Sequence, residues 1–149
     1  MFTQRQLDQC FSDQGAQFRG RKEDYFAVLY LAQRFSIKGK EAAKSVTFGG
    51  FDYGIDAYYL DNNFQNLYLY QFKWPSSVIQ MAHSVHRLID KGLDAVVGSD
   101  PAETNRNEII DRLRADIRER QAQIKRVFIY FISDSTTSSG LQQCARQST

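Results

Sequence analysis

The sequence has few of the residues that mark several common classes of protein. Its two cysteines, Cys10 and Cys144, lie near opposite ends without metal-ligand spacing or a signal peptide, so we expect free thiols in a reducing cytoplasm. Its apolar runs fall well short of the roughly 20 residues that span a bilayer, so we expect no membrane role. The net charge of +2 is too small to indicate a nucleic-acid partner, which only local clusters of Arg and Lys could reveal.

The chain does contain enough apolar sequence for one domain. With 149 residues and 42% hydrophobic residues, it should bury roughly 68–70% of its unfolded surface. We therefore predict a single domain over residues 1–149, with a core at about 22–134. The sequence after residue 134 begins what reads as another helix and stops, so we expect the N-terminal part of a longer protein with further C-terminal domains; a frayed natural terminus is the alternative.

Helical spacing of apolar residues predicts four helices. The first begins after a Thr3 cap, and the second covers about Lys22 to Phe35, with Glu23 and Asp24 in its first turn. Residues 36–44 read as a loop with at most a turn of helix. The third helix follows residue 77 and can be shortened or ended by Gly92; its predicted apolar stripe is Val78, Ala82, Val85, Ile89, Leu93 and Val96.

The fourth predicted helix precedes the last strand. It should bury Ile110, Leu113, Ile117 and Ile124. It should expose five arginines, Arg106, Arg112, Arg114, Arg118 and Arg120, among acidic residues. Two pairs at i,i+4 spacing, Glu108 with Arg112 and Asp116 with Arg120, favour a solvated face over a DNA-binding stripe.

Three strands are predicted. Ile55 to Leu60 and a second strand from Asn66 or Leu67 to Trp74 should form a hairpin around a turn at 61–63, and Arg126 to Ser133 should join the same sheet through a crossover. Alternation places Asp56, Tyr58 and Leu60 opposite Ile55, Ala57 and Tyr59. On the second strand it places Leu67, Leu69, Gln71 and Lys73 opposite Tyr68, Tyr70, Phe72 and Trp74.

The hairpin carries the chemical signal of the sequence. Asp56 begins one strand after a glycine turn, and Gln71 and Lys73 end the other, so a carboxylate, an amide and an ammonium should meet at one end of the sheet. Buried polar groups need partners, and Asp56 is the obvious one. Oxygen ligands of this kind suit Mg²⁺, and a nearby lysine can orient or deprotonate a metal-bound water, an arrangement that suits phosphodiester hydrolysis.

At these residues the sequence resembles the PD-(D/E)xK nuclease superfamily. The segment GGFDYGIDAYYLDNNFQNLYLYQFKW is closer still to the N-terminal nuclease-like domain of abortive-infection phage-resistance proteins and to Mrr-like restriction endonucleases. The resemblance covers residues 22–90 and extends more loosely to 126–133. It implies an α/β fold of the restriction-endonuclease type, in which a central mixed β-sheet is flanked by α-helices.

The resemblance also implies roles for individual residues. Asp56 would be the principal ligand of Mg²⁺ or Mn²⁺, with Gln71 adding its side-chain oxygen and the Phe72 carbonyl completing the shell, and Lys73 would be the catalytic lysine. Asp24 or its neighbour Glu23 would bring an acid from the upstream helix. Gln71 departs from the family pattern, because it stands where a carboxylate is usual and a neutral ligand attracts a metal less strongly.

Three residues keep a second interpretation open. Asp52, which precedes Asp56 in the glycine turn, is a further candidate ligand that we interpret first as a turn-stabilising residue. His83 and His86 lie close enough on one predicted helix to suggest a metal pair, but no third ligand accompanies them, and exposed or phosphate-facing side chains are favoured.

The expected function is a metal-dependent nuclease that cuts DNA, or RNA, in phage defence. Cutting both strands of a duplex would favour a homodimer. The alternative is an inactive nuclease-fold module that binds nucleic acid or a protein, and a third option is that Asp56 and Lys73 form only a structural ion pair.

Overall fold

The computed structural model describes residues 2–50, 52–73, 78–98 and 106–133, and of residues 78–81 and 133 it describes the backbone only. Trp74, Cys144 and the helix expected after residue 134 lie outside these ranges. Within them the elements are α1 (Gln4–Phe18), a 3₁₀ turn (Lys22–Asp24), α2 (Tyr25–Phe35), α3 (Gly39–Ala43), β1 (Ala57–Leu60), β2 (Asn66–Lys73), α4 (Val78–Arg87), a π-helical segment (Leu88–Gly92), α5 (Leu93–Val97), α6 (Glu108–Arg120) and β3 (Arg126–Ser133).

The described strands form one mixed sheet in the order β1-β2-β3. β1 runs antiparallel to β2, with Ala57 opposite Tyr70 and Leu60 opposite Leu67. β3 runs parallel to β2 over eight residue pairs, so the chain returns to the sheet through the helices between them, which confirms the predicted crossover. The molecule is therefore a mixed α/β protein with a three-stranded sheet and helices on both faces.

Each face of the sheet supports its own apolar core. The α1–α3 side contains Ala57, Tyr59, Tyr68, Tyr70 and Phe72. The opposite side contains Tyr58, Leu60, Leu67 and Leu69, and is covered by α5, α6 and the π-helical segment. The predicted alternation is confirmed for these residues, but it is wrong for Ile55, which packs with Tyr58. Ile55 lies before the first paired residue of β1, where the strand period does not yet apply.

The N-terminal half follows its sequence signals closely. The Thr3 hydroxyl accepts from the Gln6 amide at 3.2 Å while the Gln6 side chain accepts from the Thr3 amide at 2.8 Å, a complete capping box at the start of α1. The second helix is preceded by the 3₁₀ turn that contains Glu23 and Asp24. This turn sets Asp24 directly before α2, at the edge of the sheet end that Asp56 occupies.

The helix after residue 77 contains the main departure from prediction. Gly92 does not end it, because residues 88–92 form a π-helical turn and α5 continues to Val97. Among residues 82–98, the buried positions are Ser84, Leu88, Gly92 and Val96, each four residues from the next. The predicted stripe is wrong for Ala82, which is exposed, and for Ile89, whose exposed fraction is 56%. A π turn holds more residues per turn than an α turn, so it moves the buried face off the 3.6-residue period.

The α6 helix begins at an Asn107 cap and buries Ile110 and Leu113 as predicted. Arg114, predicted to be exposed, is only 3% exposed and donates hydrogen bonds to the carbonyls of Ala95 and Gly98, which satisfy the end of α5.

The predicted i,i+4 ion pairs are replaced by contacts to other elements. Arg112 donates to the Tyr58 hydroxyl at 2.9 Å and to the Lys44 carbonyl, while the Asp116 carboxylate accepts from Tyr58 at 2.7 Å. These residues therefore connect α6 to the sheet instead of forming a solvated helix face. Among the described residues, no helix is long and apolar enough to cross a membrane.

Candidate active site

Asp56 is held at the sheet end by its backbone before its side chain makes any contact. Its amide donates to the Tyr70 carbonyl at 2.8 Å, and its carbonyl accepts from the Thr47 amide at 2.8 Å. The buried Thr47 hydroxyl donates to the neighbouring Ile55 carbonyl at 2.6 Å. The residue is therefore fixed between β2 and the segment that precedes the glycine turn, and its carboxylate has little freedom to move away.

The Asp56 carboxylate meets the end of β2. Its Oδ2 atom accepts one hydrogen bond from the Gln71 side-chain nitrogen at 2.7 Å and another from the Phe72 amide at 2.6 Å. The predicted partnership between Asp56 and Gln71 is thus present. Within a strand the N–H and C=O of one residue point to the same side, so the Phe72 carbonyl faces the same edge of β2 as the amide that binds Asp56.

A cavity of about 450 Å³ opens beside Asp56. Its wall includes five of the residues expected at the site, Asp56, Phe72, Lys73, Glu23 and Asp24. Other polar side chains complete it: Arg21, Thr47, His83, Ser84 and Arg87. Four separate parts of the chain therefore meet at the cavity, namely the 3₁₀ turn before α2, the segment around Thr47, the hairpin end and α4.

The two upstream acids are not equivalent. Asp24 is the more buried, with 21% of its side chain exposed, and its Oδ2 atom accepts from the Arg21 amide at 2.8 Å. Glu23 lines the cavity as an exposed residue. Burial raises the pKa of Asp24 above its usual range, with the charges of Glu23 and Asp52 adding to the effect. Asp24 is thus the acid whose environment already resembles that of Asp56.

Burial raises the pKa of Asp56 to about 7. The Phe72 amide and the Lys73 ammonium oppose this rise, and the carboxylates of Asp52 and Asp24 add to it. The three aspartates therefore act on one another electrostatically. A cation placed among them would favour their ionised forms and lower the pKa again.

Asp52 lies within the glycine turn, where its Oδ1 atom accepts from the Gly54 amide at 3.0 Å and from Arg87 Nη2 at 2.9 Å. The first contact agrees with the turn-stabilising interpretation. The second joins the turn to α4 and was not anticipated from the sequence, because the two residues lie 35 positions apart. Asp52 therefore acts on the site through its negative charge and through its hydrogen bond to Arg87.

The side-chain oxygen of Gln71 is buried and has no hydrogen-bond partner. It faces away from Asp56, next to Gly54, where an added Cβ atom would lie 3.3 Å from it. A buried acceptor left without a donor costs free energy. If the amide turned over, this oxygen would face the same side as the Asp56 carboxylate, and a cation there would satisfy both.

The donor set fits a small oxygen-liganded cation better than a zinc-type centre. Among the described residues, no group of three His, Cys, Asp or Glu side chains is placed to hold a metal. His83 lines the cavity whereas His86 does not, so the two do not form a metal pair there. Mg²⁺ usually takes only one or two carboxylates with waters and substrate oxygens. Asp56, Asp24 and the Phe72 carbonyl would hold such an ion.

Several polar residues of this site carry no signal that sequence reasoning could use. Thr47 lies between residue 44 and the glycine turn, where no element is predicted, and Ser84 and Arg87 belong to α4 but not to its predicted apolar stripe. Arg21 lies just before the second predicted helix, in a basic stretch with Arg19 and Lys22 that predicts no site. Comparisons with protein-family models, with curated proteins and with solved structures found no significant match for this chain.

Proposed function

We propose that this chain is a metal-dependent nuclease domain that hydrolyses phosphodiester bonds in DNA. The observation that carries the proposal is the meeting of Asp56 with Gln71 and Phe72 at the rim of a cavity that Lys73 and Asp24 also line. This is the set of groups that a Mg²⁺- or Mn²⁺-assisted attack on a phosphate needs. The antiparallel hairpin and the parallel third strand are compatible with a restriction-endonuclease-like core.

Each residue has a defined task in the proposed reaction. Asp56 and Asp24 would hold the cation, whose chemistry when bound would be to polarise the phosphate and activate a water for attack. Asp56 would present its Oδ1 atom for this purpose, because Oδ2 accepts from the Phe72 amide and would keep that hydrogen bond if the Gln71 amide turned over. Lys73 offsets the charge that develops on the phosphate oxygens and helps orient the attacking water. The family resemblance implies a role in phage defence, and cutting both strands of a duplex would favour a homodimer with a pair of sites.

Cleavage assays on plasmid and short duplex DNA test the proposal. The wild-type protein should cut in Mg²⁺ or Mn²⁺, and Asp56→Asn and Lys73→Met should each lower the rate by at least about 100-fold, as expected when a group that stabilises transition-state charge is lost. Lys40→Met removes an exposed lysine of α3 and should leave the rate unchanged. Cutting that survives in both site variants would refute the assignment.

An inactive binding module is the second candidate, and one observation favours it. Gln71 and Phe72 already satisfy one oxygen of Asp56 without a cation, as a purely structural cluster would. Titration calorimetry with Mn²⁺ separates the two functions. A nuclease should give heat that Asp56→Asn abolishes, whereas an inactive module should give no heat that depends on Asp56.

A further inference from the structure

The α4 wall of the cavity carries basic residues that the metal chemistry does not use. His83 and Arg87 are four residues apart in α4, so they lie on the same helix face, and both line the cavity together with Asp56 and Lys73. The exposed His86, one residue before Arg87, is not part of the lining. The acids of the cavity come from other elements, the 3₁₀ turn and the start of β1.

Arg87 is oriented by a contact that leaves most of its donors available. Its Nη2 atom bonds Asp52 at 2.9 Å, and Asp52 is itself held by the Gly54 amide at 3.0 Å. A guanidinium has five N–H donors in a rigid fork that suits bidentate binding to phosphate. The side chain is 54% exposed, so a ligand can reach the donors that Asp52 does not occupy.

The backbone packing next to Arg87 fixes the position of α4. The π-helical segment starts at Leu88, and the Leu88 amide nitrogen would lie 3.1 Å from a Cβ atom added to Gly54. At Gly92, the end of that segment, an added Cβ atom would lie 2.6 Å from the Tyr53 carbonyl. Two glycines thus let the helix backbone approach the turn that carries Asp52, so Arg87 and the turn are placed as one unit.

We propose that His83 and Arg87 bind a phosphate of the DNA that flanks the phosphate to be cut. The inference rests on the proposed function. It assigns substrate binding to the α4 wall of the cavity and leaves metal binding to the acids on the other elements. The cavity volume of about 450 Å³ is within the roughly 300–1,000 Å³ usual for ligand sites and leaves room for more than one phosphate.

Salt-dependent binding of a fluorescein-labelled 20-bp DNA duplex, measured by anisotropy in EDTA to prevent cutting, tests this wall. Each phosphate contact by a cation contributes about 0.9 to the slope of log affinity against log salt concentration. Arg87→Gln should therefore weaken binding and reduce the magnitude of the slope by about 0.9. Arg87→Lys should keep the slope but bind several-fold more weakly, because it retains the charge and loses the fork.

Two exposed positions supply matched controls. Lys91→Gln removes a positive charge one turn further along the same helical region, and His86→Ala removes a histidine outside the cavity. Both should leave the slope unchanged, whereas His83→Ala should weaken binding several-fold. The phosphate site is refuted if Arg87→Gln keeps the wild-type affinity and slope, if Lys91→Gln lowers them equally, or if the wild-type protein does not bind the duplex.

Cleavage in Mg²⁺, scored on the same proteins, separates the two proposals. A wild-type protein that binds through Arg87 without cutting would remove the nuclease function and leave the phosphate site in place. A protein that cuts while Arg87→Gln binds normally would remove the phosphate site alone. Should Arg87→Gln fail to fold, as judged by thermal unfolding, the comparison of Arg87→Lys and His83→Ala with the wild type still decides the outcome.

Discussion

Replacing Asp56 with Asn should stabilise the metal-free protein at alkaline pH. Burial is the main cause of the Asp56 pKa of about 7, against an ordinary aspartate value of about 3.9. At about 1.36 kcal/mol for each tenfold change in proton affinity, the ionised carboxylate costs at most about 4 kcal/mol in the folded state. The introduced amide would still accept from Gln71 and Phe72 through its oxygen, but it carries no charge that must be desolvated.

The sign of the pH dependence follows from the same pKa difference. Between about pH 4 and pH 7 the folded protein keeps a proton on Asp56 that the unfolded chain has released, so the free energy of unfolding falls as pH rises through this window. The contribution is complete below the unfolded pKa and is lost above the folded one. Asp56→Asn should remove this part of the pH dependence.

Urea unfolding in EDTA at pH 5 and pH 8 measures the effect. Wild-type stability should fall between the two values by more than that of Asp56→Asn, and the variant should be the more stable protein at pH 8. Exposed Asp90→Asn serves as the control and should follow the wild type. Identical pH profiles for wild type and Asp56→Asn would show that the Asp56 carboxylate is not desolvated as its surroundings imply.

Two further changes test the packing around the site by urea unfolding. Gly92→Ala should cost about 1–3 kcal/mol, as overpacking does, because its Cβ atom would lie 2.6 Å from the Tyr53 carbonyl. Gly50→Ala should cost far less, because no described residue other than its chain neighbours has an atom within 4 Å of the added Cβ; equal losses would contradict the close approach. Arg114→Ala should cost about 1–3 kcal/mol because two carbonyls at the end of α5 lose their donor, and exposed Arg118→Ala should cost less than Arg114→Ala.

Local pattern was enough to predict the hairpin. The features that predict it are all local: turn residues at 61–63, two strands of alternating residues, and a polar residue at the end of each strand. They correctly predicted the contact between Asp56 and Gln71. The Thr3 cap and the last strand were also predicted from local sequence. The restriction-endonuclease-like fold and the metal remain predictions, because they rest on the family resemblance rather than on these contacts.

The remainder depended on interactions between distant parts of the chain. The π turn at 88–92 lies close to the turn that carries Asp52, at Gly54 and Gly92, and no 3.6-residue period could reveal it. It turned Ile89 outward and Leu88 inward. Arg114 was predicted to be exposed because its partners cannot be recognised in the sequence. They are backbone carbonyls at the end of another helix, and every residue has such a carbonyl.

The most direct test of the proposed metal site is an anomalous difference map from crystals of the wild-type protein soaked in Mn²⁺. We expect a single strong peak in the cavity, within ligand distance of Asp56 Oδ1 and on the side of Asp24, with Gln71 turned so that its oxygen faces the ion. A map with no peak beside Asp56, and with Gln71 still donating to the carboxylate, would contradict this expectation.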